Sequence, residues 1–405
     1  YATENWTSGN GNIDEGVEFS VVCAPEGYTY VPDDNFEQAL IDLGYDDTLD
    51  DYVLTANISS VTILNVSQKA ISDLTGIEDF TALTELWCHY NELTTLDLSA
   101  NTALTDLRCD HNEYLTGLDV SSNTALVRLD FFDCPSATSL NVTGLTNLTE
   151  LRCGSNSITT LDVSSNADLS ILTCEYNQLT SLDVSANTAL TLLICHDNQL
   201  TSLDVSNNTA IIEIQCRNNQ LTSLDVSGAT ALTYLGGHSN QLTTLDVISN
   251  TALTQLICHT NQLTSLDLSA NTDLTYLHSD GNPLTSLDVS ANTSLTILSC
   301  NNNQLTNLDV SNNTALTGLW CDSNQLTNLD LSANTALTQL DLAGNQLTYL
   351  NMKNGVTSAY TGFRVTNNSL TCIETLDPDY ATANWTLANE NIDAGVTFDV
   401  ICGAE

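Results

Sequence analysis

The chain has 405 residues, with 50 acidic side chains against seven lysines and arginines, and a formal net charge of −43. Such a surface repels phosphate groups, so the composition excludes general nucleic-acid binding and argues against docking on anionic lipid. The sequence contains no run of eighteen apolar residues, so no membrane insertion is expected.

Residues 1–23 duplicate a segment near the other end of the chain. They align without gaps on residues 380–402, with 15 of 23 residues identical, including Trp6 with Trp385 and Cys23 with Cys402. We interpret residues 1–23 as the tail of a preceding, similar domain, which predicts a larger multidomain chain built as a tandem array. The alternative is an N-terminal decoration that happens to share the motif.

Residues 24–60 are predicted to form an N-terminal cap with one short helix. Asp33 or Asp34 can cap the start of this helix, and Gly44 can end it. Its apolar stripe is predicted to consist of Phe36, Leu40 and Leu43. The first unit of a repeat array needs such a lid, because its core would otherwise open to water.

From residue 61 to residue 370 the sequence repeats every 21 or 22 residues. The pattern is L-T-x-L-x-C-x-x-N-Q-L-T-S-L-D-V-S-x-N-T-A, as in residues 190–210. A fixed period of this length predicts a solenoid, in which each unit buries its apolar face by stacking on its neighbours. Leu193 and Cys195 alternate with Ile194 and His196, which predicts a strand with Leu and Cys inside. We expect about fifteen coils.

The front half of the repeat resembles the leucine-rich repeat signature L-x-x-L-x-L-x-x-N-x-L, with Cys at the sixth position. In particular, it resembles bacterial surface proteins of the internalin type, which have 21-residue repeats and a cysteine ladder. The resemblance implies a β-rich, right-handed coil with a parallel concave sheet. Because the repeat is short, the convex side has room only for short extended segments, such as residues 203–205.

The sixth repeat position forms a column of nine cysteines: Cys88, Cys109, Cys153, Cys174, Cys195, Cys216, Cys258, Cys300 and Cys321. Nine thiols cannot all pair, and other coils place Phe131, Gly237, Ser279 or Leu342 there, so we interpret the column as core. Asn198 and its equivalents are expected to form a buried ladder. Residues 371–405 are predicted to be a C-terminal cap closed by a disulfide between Cys372 and Cys402.

The outward positions of the concave sheet hold nearly all the histidines and arginines of the chain, which indicates a ligand-binding face. One group of candidates lies on four adjacent coils. It consists of Trp87, His89, Tyr90, Arg108, His111, Arg128, Phe132 and Arg152. Aromatic rings beside arginines suit a protein ligand, or a sugar that carries carboxylate or sulfate groups. The alternative is drift, since any unusual residue must fall at a position that the core leaves free.

A second group of candidates lies further along the same face. It consists of Tyr234, His238, His259, Tyr276, His278 and Trp320. Within one column of this group, His238, His259 and Asp280 occupy consecutive coils. Such spacing permits a shared divalent metal, although no native metal is expected.

An acidic column also runs along the array: Asp97, Asp119, Asp162, Asp183, Asp204, Asp225, Asp246, Asp267, Asp288, Asp309 and Asp330. Stacked carboxylates could bind Ca²⁺. We favour the alternative that each Asp accepts hydrogen bonds from donors in its own turn. No other cofactor is expected.

Motifs of nucleophilic, zinc-dependent or nucleotide-dependent catalysis are absent from the sequence, so we do not expect an enzyme. The preferred hypothesis is an extracellular recognition and adhesion module, on a bacterial cell surface or secreted, that binds a protein. We expect a monomer within a larger chain. The alternatives are a glycan-binding module for polysaccharide capture and a ligand-free spacer.

Overall fold

The computed structural model describes residues 24–403, so the predicted tail of a preceding domain, residues 1–23, lies outside the described residues. Within the described residues there are three α-helices: α1 (Asp34–Asp42), α2 (Thr55–Ile58) and α3 (Pro378–Asn384). Short 3₁₀ turns cover Ile77–Asp79, Thr357–Ala359 and Leu387–Asn389. Over residues 24–403, no helix is both long and apolar enough to cross a membrane.

The strands are almost all three residues long. In chain order they are β1 (Tyr28–Tyr30), β2 (Tyr52–Leu54), β3 (Ile63–Asn65), β4 (Glu85–Trp87), β5 (Asp106–Arg108), β6 (Gly117–Asp119), β7 (Arg128–Asp130), β8 (Ser139–Asn141), β9 (Glu150–Arg152), β10 (Ile171–Thr173), β11 (Leu192–Ile194), β12 (Ser202–Asp204), β13 (Glu213–Gln215), β14 (Ser223–Asp225), β15 (Tyr234–Gly236), β16 (Gln255–Ile257), β17 (Tyr276–His278), β18 (Ile297–Ser299), β19 (Gly318–Trp320), β20 (Asn328–Asp330), β21 (Gln339–Asp341), β22 (Tyr349–Met352), β23 (Gly362–Arg364), β24 (Cys372–Thr375) and β25 (Thr397–Asp399).

These strands form the predicted solenoid. Fifteen of them, from β3 to β23, make one parallel sheet, the concave sheet, with one strand per coil. On the opposite side of the coils the extended segments pair only in places, as β6 with β8, β12 with β14, and β20 with β22, β24 and β25. The predicted segment at residues 203–205 falls on β12.

The concave sheet is in strict register, so each repeat position becomes a column. Leu172, Leu193 and Ile214 are paired neighbours on three successive strands, and all three are fully buried. The cysteine column follows directly, and its nine thiols are buried and unpaired. Burial raises the pKa of Cys216 and of Cys258 to about 12, so these thiols stay protonated and behave as small apolar side chains.

A buried asparagine ladder closes most of the turns after the concave strands. The Asn198 amide donates to the carbonyl oxygens of Cys174 and Cys195, and its Oδ1 accepts from the backbone N–H of Leu179 at 3.0 Å. A second ladder runs through the far turns, where the Asn208 amide donates to Val184 O and Asn187 O. The sequence analysis missed this second ladder, although an Asn at the nineteenth repeat position was its signal.

The N-terminal cap begins with the predicted helix. Asp33 caps α1, since its carboxylate accepts from the backbone N–H groups of Asn35 and Phe36 at 3.0 Å. Phe36, Ala39 and Leu40 are buried. The assignment of Leu43 to the apolar stripe is wrong: α1 ends at Asp42, and Leu43 is the C-terminal cap residue, 45% exposed.

The C-terminal cap covers the last coil with an aromatic cluster. Trp385 is buried and stacks on Phe363 of β23, with 3.9 Å between ring centroids and 13° between planes. Cys372 of β24 and Cys402 form a disulfide across this cap. The cap thus replaces the neighbour that every internal coil has.

Candidate ligand-binding face

The first and third residues of each concave strand point outward, and the middle residue points into the core. On β4 and β5, for example, Leu86 and Leu107 are fully buried, whereas Trp87 and Arg108 are paired outward neighbours. The next residues along the chain that face outward are the seventh and eighth of the repeat. The predicted candidates all lie at these four positions, so their contacts follow from the register.

The first group of candidates forms one connected cluster, which we call the charged patch. The guanidinium carbon of Arg108 lies 4.8 Å from the centroid of the Trp87 ring. In the turns that follow these strands, the Tyr90 ring stacks on the His111 ring with centroids 4.1 Å apart. His111 Nδ1 lies 2.8 Å from Asp133 Oδ2. The patch further includes His89, Arg128, Phe132 and Arg152, with the Phe132 ring edge-on to that of His111.

The arginines of the charged patch are already paired with carboxylates. Arg108 donates to Asp106 through Nε at 3.1 Å and Nη2 at 3.3 Å, and Arg152 Nε donates to Glu150 at 2.6 Å. Arg128 Nη2 lies 3.7 Å from Glu150 Oε1. The sequence analysis missed these carboxylates, although they occupy the same outward columns. Because the guanidinium groups are neutralised, an anionic sugar fits this patch less well than expected.

The eighth repeat position, which holds Tyr90 and His111, has a left-handed backbone throughout the array. Tyr90, His111 and Tyr176 have φ between 53° and 54°. Asn218, Asn302, Gly281 and Gly344 share this conformation in other coils. Asn and Gly adopt it readily, and their recurrence at the eighth position was the sequence signal for it. The tight turn fixes the backbone direction of the aromatic side chains.

The second group contains a stack of three imidazoles. The His238 and His259 rings lie 4.1 Å apart with 19° between planes, and the His259 and His278 rings lie 4.3 Å apart. Desolvation, followed by the charges of His259 and Arg217, lowers the pKa of His238 to about 4. Desolvation and the neighbouring His278 also lower the pKa of His259. These two rings are therefore neutral at pH 7.

The stack does not create the metal site considered for His238, His259 and Asp280. Parallel rings do not aim their nitrogens at one point, and the Asp280 carboxylate accepts bonds from Ser299 Oγ and Asn301 N at 3.0 and 2.9 Å. His278 Nε2 also lies 2.8 Å from Asp280 Oδ2. Within residues 24–403, no group of three or more His, Cys, Asp or Glu side chains is arranged to hold a metal ion.

The remaining candidates of this group, with their neighbours, form what we call the aromatic patch. It comprises the outward residues of β15 to β19: Tyr234, Gly236, Gln255, Ile257, Tyr276, His278, Ile297, Ser299, Gly318 and Trp320. These ten positions contain no Asp, Glu, Lys or Arg. Tyr234, Tyr276 and Trp320 are each half-buried, so part of every ring remains accessible to a ligand.

The aspartates of the acidic column are hydrogen-bonded within their own turns. Each of its eleven aspartates accepts a hydrogen bond from the backbone N–H two residues further on, at 2.9 to 3.0 Å. The side-chain and backbone bonds from Ser185 lower the pKa of Asp183, and Ser290 does the same for Asp288. The local bonding favoured from the sequence is thus present.

The coil of short repeats, the parallel concave sheet and the buried cysteine column define a leucine-rich repeat solenoid with a cysteine ladder. No protein-family model matches the chain. The chain is 35% identical to the functional domain of internalin J from Listeria monocytogenes, which includes a cysteine ladder. That match covers 87% of this chain and 78% of the domain, with a TM-score of 0.64. The chain belongs to the internalin family of leucine-rich repeat proteins.

Two further solved structures share the solenoid fold. Internalin F of L. monocytogenes is 25% identical, with 79% of this chain and 91% of that structure covered and a TM-score of 0.58. A leucine-rich repeat protein of Leptospira interrogans shares the fold at 22% identity, with 83% and 91% covered and a TM-score of 0.66. In a comparison of sequences alone, a segment of 73 residues is 40% identical to internalin J of L. monocytogenes serotype 4b. This segment is 18% of this chain and spans 8% of the length of that relative.

Proposed function

We propose that the chain is a non-enzymatic recognition module of a bacterial surface or secreted protein, which binds a protein ligand through its concave face. The likeness to internalins supports a binding module, and the Cys372–Cys402 disulfide supports an oxidising, extracellular setting. The chain acts in this proposal as a monomer within a longer multidomain protein. The perturbed histidines lie on an open sheet, where water is not excluded, which supports binding rather than catalysis.

The charged patch is the observation that supports a protein ligand. Its outward columns carry both signs, with Arg108, Asp130 and Arg152 as successive neighbours in one column, so it complements a partner surface that also carries both signs. Tyr90 is 50% exposed, yet its ring is held by the stack on His111. A rigid aromatic side chain beside arginines is the composition of an interface hot spot.

A matched pair of tyrosines tests the proposal. Tyr90 and Tyr176 share the eighth repeat position, a φ close to 54° and an exposed fraction of 50%. Asn occupies the same position at residues 218 and 302, so Tyr90→Asn and Tyr176→Asn both suit the left-handed backbone. Binding of the labelled whole chain to a panel of cultured animal cells and bacteria is measured by flow cytometry, before and after trypsin treatment of the cells.

We expect saturable binding that trypsin abolishes and that Tyr90→Asn weakens by about tenfold. Tyr176→Asn, which lies outside the charged patch, is expected to bind as the unaltered chain does. Binding that survives trypsin and is weakened by Tyr90→Asn contradicts a protein ligand, and equal binding by both variants contradicts the charged patch. Absence of binding to the whole panel would favour the ligand-free spacer.

A further inference from the structure

Two aromatic rings of the aromatic patch lie flat on the sheet, and a glycine makes the room for each. A Cβ on Gly318 would overlap Cη2 and Cζ3 of Trp320, so the indole ring covers Gly318. A Cβ on Gly236 would lie 3.2 Å from Cε1 and 3.4 Å from the hydroxyl oxygen of Tyr234. Both glycines are buried under these rings. The rings therefore present a face to solvent rather than an edge.

The rings recur on every second strand. Tyr234 and Tyr276 are the first residues of β15 and β17, whereas Trp320 is the last residue of β19 and its ring lies over Gly318, the first residue of that strand. The strands between them, β16 and β18, carry smaller or aliphatic outward residues. Two sheet spacings correspond to about 10 Å. This distance is close to the length of two linked sugar rings in an extended polysaccharide. Alternate sugar rings of such a chain can therefore meet successive aromatic platforms.

The chemistry between the rings is polar and uncharged. Gln255, exposed between Tyr234 and Tyr276, offers an amide, and the Tyr276 hydroxyl lies in the same column. An anionic chain would find no lysine or arginine among the ten positions of the patch, on a protein with a net charge of −43. Pyranose rings have apolar C–H faces and hydroxyl edges, which match aromatic faces with amide and hydroxyl groups beside them.

We propose that the aromatic patch is a binding site for a neutral, extended polysaccharide, whose sugar rings stack on Tyr234, Tyr276 and Trp320. The site is separate from the charged patch and does not depend on the proposed protein ligand. Trp87 marks the contrast within the same column: its strand carries Glu85 where β19 has Gly318, and Arg108 covers its ring face. A tryptophan alone is therefore insufficient; the glycine beneath the ring is part of the site.

Affinity gel electrophoresis of the whole chain tests the site with soluble xyloglucan and galactomannan, and with alginate as the anionic comparison. We expect at least one neutral polysaccharide, and not alginate, to retard the unaltered chain. Trp320→Ala is expected to weaken this binding by about tenfold or more, because it removes a stacking platform. Trp87→Ala, which removes the indole of the charged patch, is expected to bind as the unaltered chain does.

The variant Gly318→Ala tests whether binding needs the indole ring to lie on the sheet or only needs Trp320 to be present. The added methyl group must lift the indole ring from the sheet, so this variant keeps Trp320 and is still expected to bind at least about tenfold more weakly. Its control is Gly362→Ala at the same repeat position on β23, where a Cβ meets nothing within 4 Å. Circular dichroism and urea unfolding establish that each variant folds, and Tyr234→Ala provides an independent loss of binding.

Three results would overturn the proposal: no retardation by any of the neutral polysaccharides, equal retardation of the unaltered chain and of both Trp320→Ala and Gly318→Ala, or preference for alginate. Loss of cell binding in Trp320→Ala without polysaccharide binding would likewise overturn it and assign the aromatic patch to a protein ligand. A negative outcome leaves the charged patch untouched, because the Tyr90 and Tyr176 variants test that patch alone.

Discussion

The charged patch and the aromatic patch are built on the same strands of the same repeat, yet their chemistry is opposite. On β4, β5, β7 and β9, seven of the eight outward residues are charged, namely Glu85, Asp106, Arg108, Arg128, Asp130, Glu150 and Arg152. On β15 to β19, none of the ten is Asp, Glu, Lys or Arg. One backbone thus supports two surfaces, because only the middle residue of each strand is needed for the core.

The two patches also differ in how their outward side chains contact one another. In the charged patch, Arg108 pairs with Asp106 and Arg152 with Glu150 within one strand, and Arg128 lies 3.7 Å from Glu150 on the neighbouring strand. In the aromatic patch, the important contacts are also within one strand, where a ring covers the glycine two residues away. The first arrangement joins side chains by charge, and the second lets a ring lie on the sheet because the glycine has no Cβ.

Both patches depend on one continuous scaffold, and the largest expected effect comes from breaking it between them. Asn219 donates to the carbonyl oxygens of Cys195 and Cys216 and accepts from the backbone N–H of Leu200. Asn219→Ala leaves these buried groups unpaired and is expected to lower the free energy of unfolding by about 3 kcal/mol. Urea unfolding measures the loss. Asn312→Ala, an exposed asparagine at a position where other coils have Ala, should change it by less than about 0.5 kcal/mol.

Charge reversal should separate the two patches. Arg108→Glu places a carboxylate among Glu85, Asp106 and Asp130 and is expected to lower the free energy of unfolding by about 1 kcal/mol at low salt. Screening in 1 M NaCl should remove most of this loss, because the Debye length falls to about 3 Å. Ile257→Glu adds the same group in the same column of the aromatic patch, where Gly236 and His278 are its paired neighbours. A salt dependence as large for Ile257→Glu would contradict the contrast between the patches.

Acid should affect the half of the face that contains the histidine stack. The folded pKa of His238 is about 4, below the usual value of 6.5, because desolvation and then the charge of His259 disfavour the imidazolium. The unfolded chain therefore binds more protons between these values, and stability falls as the pH drops from about 6.5 to 4. His238→Gln should reduce this loss by about 1 kcal/mol, since solvent screens a half-buried site. Unfolding midpoints at pH 7.5 and pH 4.5 measure it, and parallel profiles for both proteins would exclude His238.

The smallest effect is expected at the acidic column, which runs along both patches. Each Asp already accepts a bond from its own turn, so millimolar Ca²⁺ should shift the thermal unfolding midpoint no more than NaCl of equal ionic strength does. Differential scanning calorimetry of the whole chain makes the comparison. A larger shift with Ca²⁺ would support calcium binding, and Asp225→Asn would then locate it.

Much of the fold could be predicted from the 21-residue period, because every coil repeats the same apolar positions. The solenoid, the strand at each Leu-x-Cys, the buried thiols and the Asn198 ladder follow from that pattern. The assignment of Leu43 to the helix stripe failed because spacing alone does not show where a helix ends. The second asparagine ladder was missed because Asn208 lies in a turn, and turn asparagines are read first as turn formers.

The candidate binding face was also only partly predictable from the sequence. The sequence by itself determined which residues reach the outward face, because in a register-locked sheet a repeat position is also a place in space. The tertiary structure alone decided what those residues do there: Arg108 is paired with Asp106 and lies against Trp87, and Trp320 lies on Gly318. The reason is that such contacts depend on side-chain rotamers and on which residues occupy the neighbouring outward positions, neither of which a repeat pattern specifies.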